Sequence, residues 1–426
     1  MESFATGLAA PGTAISVVIW GIALATIAGV LLRPKNWPEA VWACSGALLL
    51  VASGILPVSQ AGMAIARGTD VYPFLTGMLL LSELARQEGV FDWLASLATA
   101  AAKGSGARLF ALIYAVGIAV TVFLSNDATA VVLTPAVYAA VQKARAKPMP
   151  YLLICAFIAN AASFVLPISN PANLVVYGKH LPPLIPWLRT FLLPSLCSVG
   201  ATYVVLRWVL RKHLEGKIEK GGDPAPLSSQ GRFAAWGIVA TGATLMCASA
   251  FGLDLGLPTC ISAAVAVLAA THGQPPAIGK IVRQVSWSVL PLVAGLFVVV
   301  EGLNRTGALQ DLGNVLQRCA GMPRASGALL VSFGMAGLSN VMNNLPSGLL
   351  AGGALRMQHL PPPIWNAVLL GVDLGPNLSV TGSLATILWL IALRREGEHI
   401  SGGTFLKVGM AVMPPALLLA TLAMAR

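Results

Sequence analysis

An all-α polytopic membrane fold is predicted for this chain: an inverted repeat of five spans plus one re-entrant hairpin in each half, with broken helices at mid-membrane. Three observations predict it. Of the 426 residues, 56% are hydrophobic and 10% charged, whereas soluble domains carry about 25% charged residues. Mean hydropathy is +0.78, and many windows reach the roughly 20 apolar residues that cross a bilayer. Four short polar knots interrupt the apolar runs, at matching places in the two halves.

The first half, residues 1–210, reads as spans near 13–32, 38–57 and 71–84, a hairpin at 107–142, a broken helix at 150–178 and a span near 186–210. The hydrophilic stretch 211–232 forms a cytoplasmic linker. The second half, 233–426, has spans near 233–252, 257–272 and 285–303, a hairpin at 325–357, a broken helix at 364–393 and a span near 404–425. That makes about ten spans and two hairpins. Residues 89–101 and 307–319 read as short amphipathic arms lying along the interface. Gly77, Glu83 and Gly89 match Gly295, Glu301 and Gly307 at a constant offset of 218. The hairpin tips match at 217, pairing Asn126 with Asn343 and Asp127 with Asn344.

Five spans per half turn the second copy upside down relative to the first, the inverted-repeat plan of secondary transporters. Putting both termini outside leaves 19 Lys/Arg on cytoplasmic loops and 8 on the outer side, as the positive-inside rule requires. That bias accounts for the net charge of +11 without a nucleic-acid partner. A twelve-span alternative, with the first arm of each hairpin a full span, would make the repeats parallel and put the tips near a surface. No basic segment precedes the first apolar run, so no cleaved signal peptide is expected. The expected location is the inner (cytoplasmic) membrane.

Unwound backbone in hydrocarbon is tolerated only where it is buried in protein or lines a cavity. The polar knots are therefore candidate solute-binding segments. Ser125, Asn126 and Asp127 form the first tip, and Asn343 and Asn344 the second. Ser169, Asn170 and Asn173 lie in the first broken helix, between Pro167 and Pro171 or just beyond. Asn377, Thr381 and Ser383 lie in the second, which Gly375-Pro376 and Gly382 interrupt. Asp127 and Asp373 are the deep acids, one per half, and are candidates for proton coupling. The structural alternative for these groups is helix capping or interhelical amide bonding. No Lys or Arg falls in any of the four breaks. A ring of amides and hydroxyls suits a small neutral hydroxylated solute better than a carboxylate.

Glu83 and Glu301 read as structural, with gating as the alternative. The six cysteines form no CxxC pair and no zinc spacing and read as small core residues. No cofactor or metal site is expected. The chain has no HExxH and no GxSxG, so an intramembrane enzyme is not indicated.

The runs Ser125-Asn126-Asp127-Ala128-Thr129-Ala130-Val131-Val132-Leu133-Thr134-Pro135, Met342-Asn343-Asn344-Leu345-Pro346 and Asp373-Leu374-Gly375-Pro376-Asn377, with Gly382-Ser383-Leu384-Ala385-Thr386, resemble the ArsB-type arsenite efflux permeases. These belong to the ion transporter superfamily, and the resemblance covers essentially the whole chain. It implies export of trivalent arsenite and antimonite, as neutral hydroxides in exchange for protons, conferring arsenic resistance. Asn126, Asp127, Asn343, Asn344, Asp373, Asn377 and Ser383 match the family motif. Some members dock a soluble ATPase, ArsA, on the cytoplasmic side, so the resemblance implies a candidate protein partner. Ala128-Thr129 replaces the small Gly-Ala residues common in the family, and Pro171 is an extra proline. A sodium- or proton-coupled carboxylate or cation carrier of the same superfamily is the competing expectation.

Overall fold

The computed structural model describes residues 12–216, 218–219 and 226–426. In the first half α1 (Thr13–Leu32), α2 (Glu39–Ala52), α3 (Val58–Ala66), α4 (Val71–Gln87) and α5 (Val90–Ala101) lead into a hairpin. Its outgoing arm is α6 (Gly106–Leu124). Its return arm is α7 (Asn126–Ala128), a π turn (Thr129–Leu133) and α8 (Thr134–Lys143). A broken helix follows as α9 (Met149–Ala161) and α10 (Pro171–Tyr177), and α11 (Leu184–Leu214) closes the half.

The second half repeats the order. It runs α12 (Ser229–Ala250), α13 (Gly256–Ala270), α14 (Pro275–Gln284), α15 (Val289–Arg305) and α16 (Ala308–Ala320). The second hairpin is α17 (Arg324–Met342) and α18 (Asn344–Met357). The second broken helix is α19 (Pro362–Leu374), a 3-10 turn (Gly375–Asn377) and α20 (Leu384–Arg395), and α21 (Gly402–Met424) ends the chain. Among the described residues, seven helical stretches are long and apolar enough to cross a membrane. This is an all-helical, multi-pass membrane protein.

Two elements were not legible as spans. α3 and α14 have nine and ten residues, about 14–15 Å of helix, and α14 runs on into α15 as one apolar stretch, Pro275–Arg305. α2 stops at Ala52 rather than near 57, because the chain turns at Gly54 with φ +73°. α11 runs on to Leu214, past the expected linker boundary at 211. The Gly221-Gly222-Asp223-Pro224-Ala225 part of that linker lies outside the described residues.

The matched residues have physical jobs. α4 packs on α13, and reciprocally α15 packs on α2. A Cβ at Gly77 would sit 2.6 Å from the Thr259 carbonyl oxygen, and one at Gly295 2.8 Å from that of Ala43. Glycine lets the helix backbones touch at both crossings. Gly89 and Gly307 hold φ of +69° and +87° at the turns into α5 and α16, a conformation open to glycine at little cost. Glu83 pairs with Arg86 at 2.5 Å, and Glu301 with Arg67 at 2.6 Å.

The hairpin register differs from the sequence reading. The residue breaking each hairpin is Ser125 (φ +113°) or Asn343 (φ +76°). Asn126 and Asn344 then begin the return arms. The tips therefore keep the offset of 218, and Asn126 corresponds to Asn344, not Asn343. The counterpart of Asp127 is Leu345. Aligned at 217, the two Asn–polar dipeptides are one residue out of register with the backbone. The second return arm is shorter, so α9/α19 and α10/α20 correspond at 213.

Candidate functional site

Each tip is tied to the break of its own half by one backbone bond. The Asn126 N–H donates to the Ser169 carbonyl at 3.1 Å, and the Asn344 N–H to the Gly382 carbonyl at 2.9 Å. In the first break Pro167 and Pro171 remove backbone donors. The Asn173 amide satisfies carbonyls left free there, donating toward Ser163, Leu166 and Pro167 at 3.0–3.3 Å. The Ser169 hydroxyl donates to the Val122 carbonyl at 3.1 Å. In the second break Asn340 does this work. Its amide donates to the Gly375 carbonyl at 2.8 Å, and its Oδ1 accepts from the Ser379 hydroxyl at 2.6 Å. Thr381 donates to the Asn340 carbonyl at 2.9 Å. Ser383 caps α20, accepting from the Thr386 N–H at 3.1 Å.

The breaks and tips converge on a water-sized central space of about 10 Å³. Its polar lining is Asn126, Asp127, Asn170 and Asn344, and Leu75, Val289, Leu345 and Leu384 contribute apolar walls. Asn344 Oδ1 is buried there without a partner, an unmet acceptor that a solute hydroxyl would satisfy. No group among the described residues bonds the Asp127 carboxylate. Asp127 also lines an adjoining cavity of about 510 Å³, together with Ser125, Val131, Val132 and Val289. Glu83, Arg86, Arg395 and Glu396 supply the charged part of that cavity's lining. No lysine or arginine lines the central space, and no cysteine lines either cavity.

The expected site residues thus separate. Asn126, Asp127, Asn170 and Asn344 come together around the central space, with Ser125 on the adjoining cavity. Ser169, Asn343, Asn377, Thr381 and Ser383 spend their side chains on neighbouring backbone or side chains. Asn173 does so through its Nδ2, its Oδ1 being buried without a partner but outside the lining of the central space. Asn343 Oδ1 accepts from the Leu345 N–H at 3.3 Å. Asn377 donates to the Phe157 carbonyl at 2.9 Å. Asp373 is fully buried and lines neither cavity. Its Oδ1 accepts from the Asn170 amide at 2.9 Å and its Oδ2 from the Ser163 hydroxyl at 2.8 Å.

Asn160, Ser163 and Asn340 belong to this network and were missed. Asn160 and Asn340 sit inside apolar helices and Ser163 in the turn just after α9, where a lone polar residue in an apolar run looks like an ordinary interhelical bond. The 213 offset carries the missing signal, since it superposes Asn160 on Asp373.

A family profile described as citrate transporter, CitMHS, matches residues 18–371. The chain belongs to the CitMHS citrate-transporter family. As a member of that family it is similar to the arsenical pump membrane protein of Escherichia coli, at 27% identity over 419 residues, covering 95% of this chain and 97% of the relative. It is also similar to the arsenical pump membrane protein of Yersinia enterocolitica, at 28% identity covering 89% and 91% of the two chains. The resemblance seen in the hairpin and break motifs thus extends along the whole CitMHS chain. The crystal structure of the Alcanivorax borkumensis YdaH transporter superposes with a TM-score of 0.57 at 16% identity, covering 91% of this chain and 96% of that one. That likeness concerns the fold.

Proposed function

We propose that this CitMHS-family transporter exports trivalent arsenite and antimonite as neutral hydroxides in exchange for protons. The observation that carries the reading is the central lining: three amides and one acid, drawn from both halves, with no cation and no thiol. Arsenous acid is uncharged at neutral pH and offers three hydroxyls, each a donor and an acceptor. Amides hold such a solute by exchangeable hydrogen bonds, whereas thiolates would hold As(III) too tightly for a conduit. Relatives named arsenical pump membrane proteins along nearly the whole chain support the same substrate class.

Asp127 is the first candidate for the proton carrier, because it faces both cavities and its carboxylate is unbonded. The charged groups that share the 510 Å³ cavity with it are Glu83, paired with Arg86, and Arg395 and Glu396. Asp373, the other deep acid, is the competing candidate, but unlike Asp127 it has Asn170 and Ser163 within bonding distance of its carboxylate. The central space is far smaller than arsenous acid, so the solute enters only when a tip withdraws. The reading is alternating access, with hairpins and broken helices as the moving unit and both termini on the outer face of the inner membrane. Residues 1–210 and 233–426 are then inverted repeats joined by a cytoplasmic linker, and an ArsA-type ATPase is a partner compatible with that face.

Growth of an arsenite-sensitive bacterium tests the reading. The wild-type chain should confer resistance, and Asp127→Asn should lose it at equal expression. Equal resistance in both would remove the coupling assignment. A carboxylate carrier is favoured instead by the family description and by Arg86 and Arg395 in the cavity. Citrate uptake, with no arsenite flux under a pH gradient, would decide for it.

A further inference from the structure

Asn160 and Asp373 occupy equivalent places near the ends of α9 and α19. Each reaches across to the other half. Asn160 donates to Asn377 Oδ1 at 3.0 Å and toward the Thr386 hydroxyl at 3.4 Å, both in the second half. Asp373 accepts from Ser163 and Asn170, both in the first half. The two side chains are fully buried and line neither cavity. We propose that Asn160 and Asp373 are reciprocal positioning residues: each is carried by one half, fixes the break of the other, and so ties the two breaks into one moving body.

The chemistry favours this role for Asp373 over proton carriage. Asp373 Oδ2 lies 2.8 Å from the Ser163 hydroxyl, whose one proton is also within reach of the Asn160 carbonyl at 2.8 Å. Oδ1 takes the Asn170 amide N–H, which leaves that amide only one orientation. In that orientation Asn170 Oδ1 accepts the Ala172 N–H at 3.0 Å, capping α10. Asn170 is the one side chain of the first break with a polar place in the central lining. Asp373 therefore acts on solute through Asn170. Turned toward Asn170, the NH2 group of Asp373→Asn would meet that amide's own N–H and unsettle the cap. For Asn160, the bond to Asn377 holds the start of the second break against α9, where Asn377 in turn donates to Phe157.

The substrate assumed here is that of the proposed function, and the test separates the two. Arsenite uptake into everted vesicles carrying the full chain is measured against concentration and pH. Asp373→Asn and Asn160→Ala should each raise KM at least tenfold and leave the midpoint of the pH profile where wild type has it. Ser163→Ala removes one donor from Asp373 without touching its charge. It should also raise KM with an unmoved pH profile, which keeps the test open should Asp373→Asn fail to fold. A flattened pH profile with wild-type KM in Asp373→Asn would make Asp373 the proton carrier and overturn the proposal. So would wild-type KM in both Ser163→Ala and Asn160→Ala. Wild-type vesicles that take up citrate but no arsenite would overturn the substrate reading alone, and the same variants would then be measured with citrate.

Discussion

The two hairpins turn in the same way and then diverge. Each turns at a single non-glycine residue of positive φ, Ser125 or Asn343, and each next residue donates its N–H into the break of its own half. From Asn344 the second arm continues as regular α18. The first arm makes one short turn and then a π turn over Thr129–Leu133. There the Thr134 hydroxyl donates to the Ala130 carbonyl at 2.7 Å, and the Thr121 and Thr129 hydroxyls lie 2.8 Å apart. π turns of this kind interrupt the regular ladder and recur at functional sites. The first tip carries Asp127 where the second carries Leu345, and Val131 and Val132 of the π turn line the 510 Å³ cavity. The two tips thus share a backbone plan, while the acid and the irregular helix belong to the first alone and face a cavity lined by both halves.

The sharpest way to break this comparison is to move the acid. Asp127→Leu should lower proton-driven flux by about 100-fold or more, the scale of losing a positioned proton-transfer group. Adding Leu345→Asp puts a carboxyl at the equivalent place, which also lines the central space. Recovery of part of the pH dependence in vesicle uptake would make the two tips interchangeable. No recovery, at normal protein levels, would tie coupling to the cavity and π turn of the first arm.

A smaller effect separates two neighbouring amides. Asn344 offers a free buried acceptor to the central space, whereas Asn343 spends its side chain on Leu345 and Thr381. Asn344→Ala should raise the KM for arsenite by up to about tenfold, the worth of one neutral hydrogen bond. Asn343→Ala should chiefly lower the thermal midpoint. Equal KM values in the two variants would show that the central lining does not define the binding side chains.

These contrasts also mark how far the sequence could be read. Composition disclosed the helical, membrane-spanning class, because apolar length is set locally, whereas the Gly-Glu-Gly match showed only that residues recur and not that its glycines sit at helix crossings. The four breaks were visible because proline, glycine and amides are costly in an apolar run. Which break residues face a solute was not visible. Asn170 and Asn173 are three residues apart in one motif, yet the first lines the central space and the second bonds carbonyls of its own break. That distinction depends on how the other half approaches, and so does the partnership of Asp373 with Ser163 and Asn170. The register slip at the tips had a similar origin, since the second tip has two adjacent asparagines and the first has one.

The glycine crossings test the shared plan itself. Gly77→Ala and Gly295→Ala each press a methyl group into a facing backbone, at a cost of about 1–3 kcal/mol. Thermal unfolding of the purified chain should show similar losses for the two. A large loss at one crossing and none at the other would mean that the two pairings are not equivalent supports.

The smallest expected effect compares the matched acids. The arginine partners are half-exposed, Arg86 at 46% and Arg67 at 55%, so each pair is worth only about 0–1 kcal/mol. Glu83→Gln and Glu301→Gln should therefore leave the thermal midpoint nearly unchanged. Transport should distinguish them. Glu83 and Arg86 line the 510 Å³ cavity, and both Arg86 and Gln87 bond Gln284 across from α4 to α14. Glu83→Gln frees Arg86 to place an uncompensated charge in the cavity lining, which screens with salt. Proton-driven flux in Glu83→Gln should become salt-dependent, while Glu301→Gln should keep the wild-type salt response, because its pair with Arg67 lies outside that cavity. Matching salt responses would place the two ion pairs on the same footing despite the cavity beside only one of them.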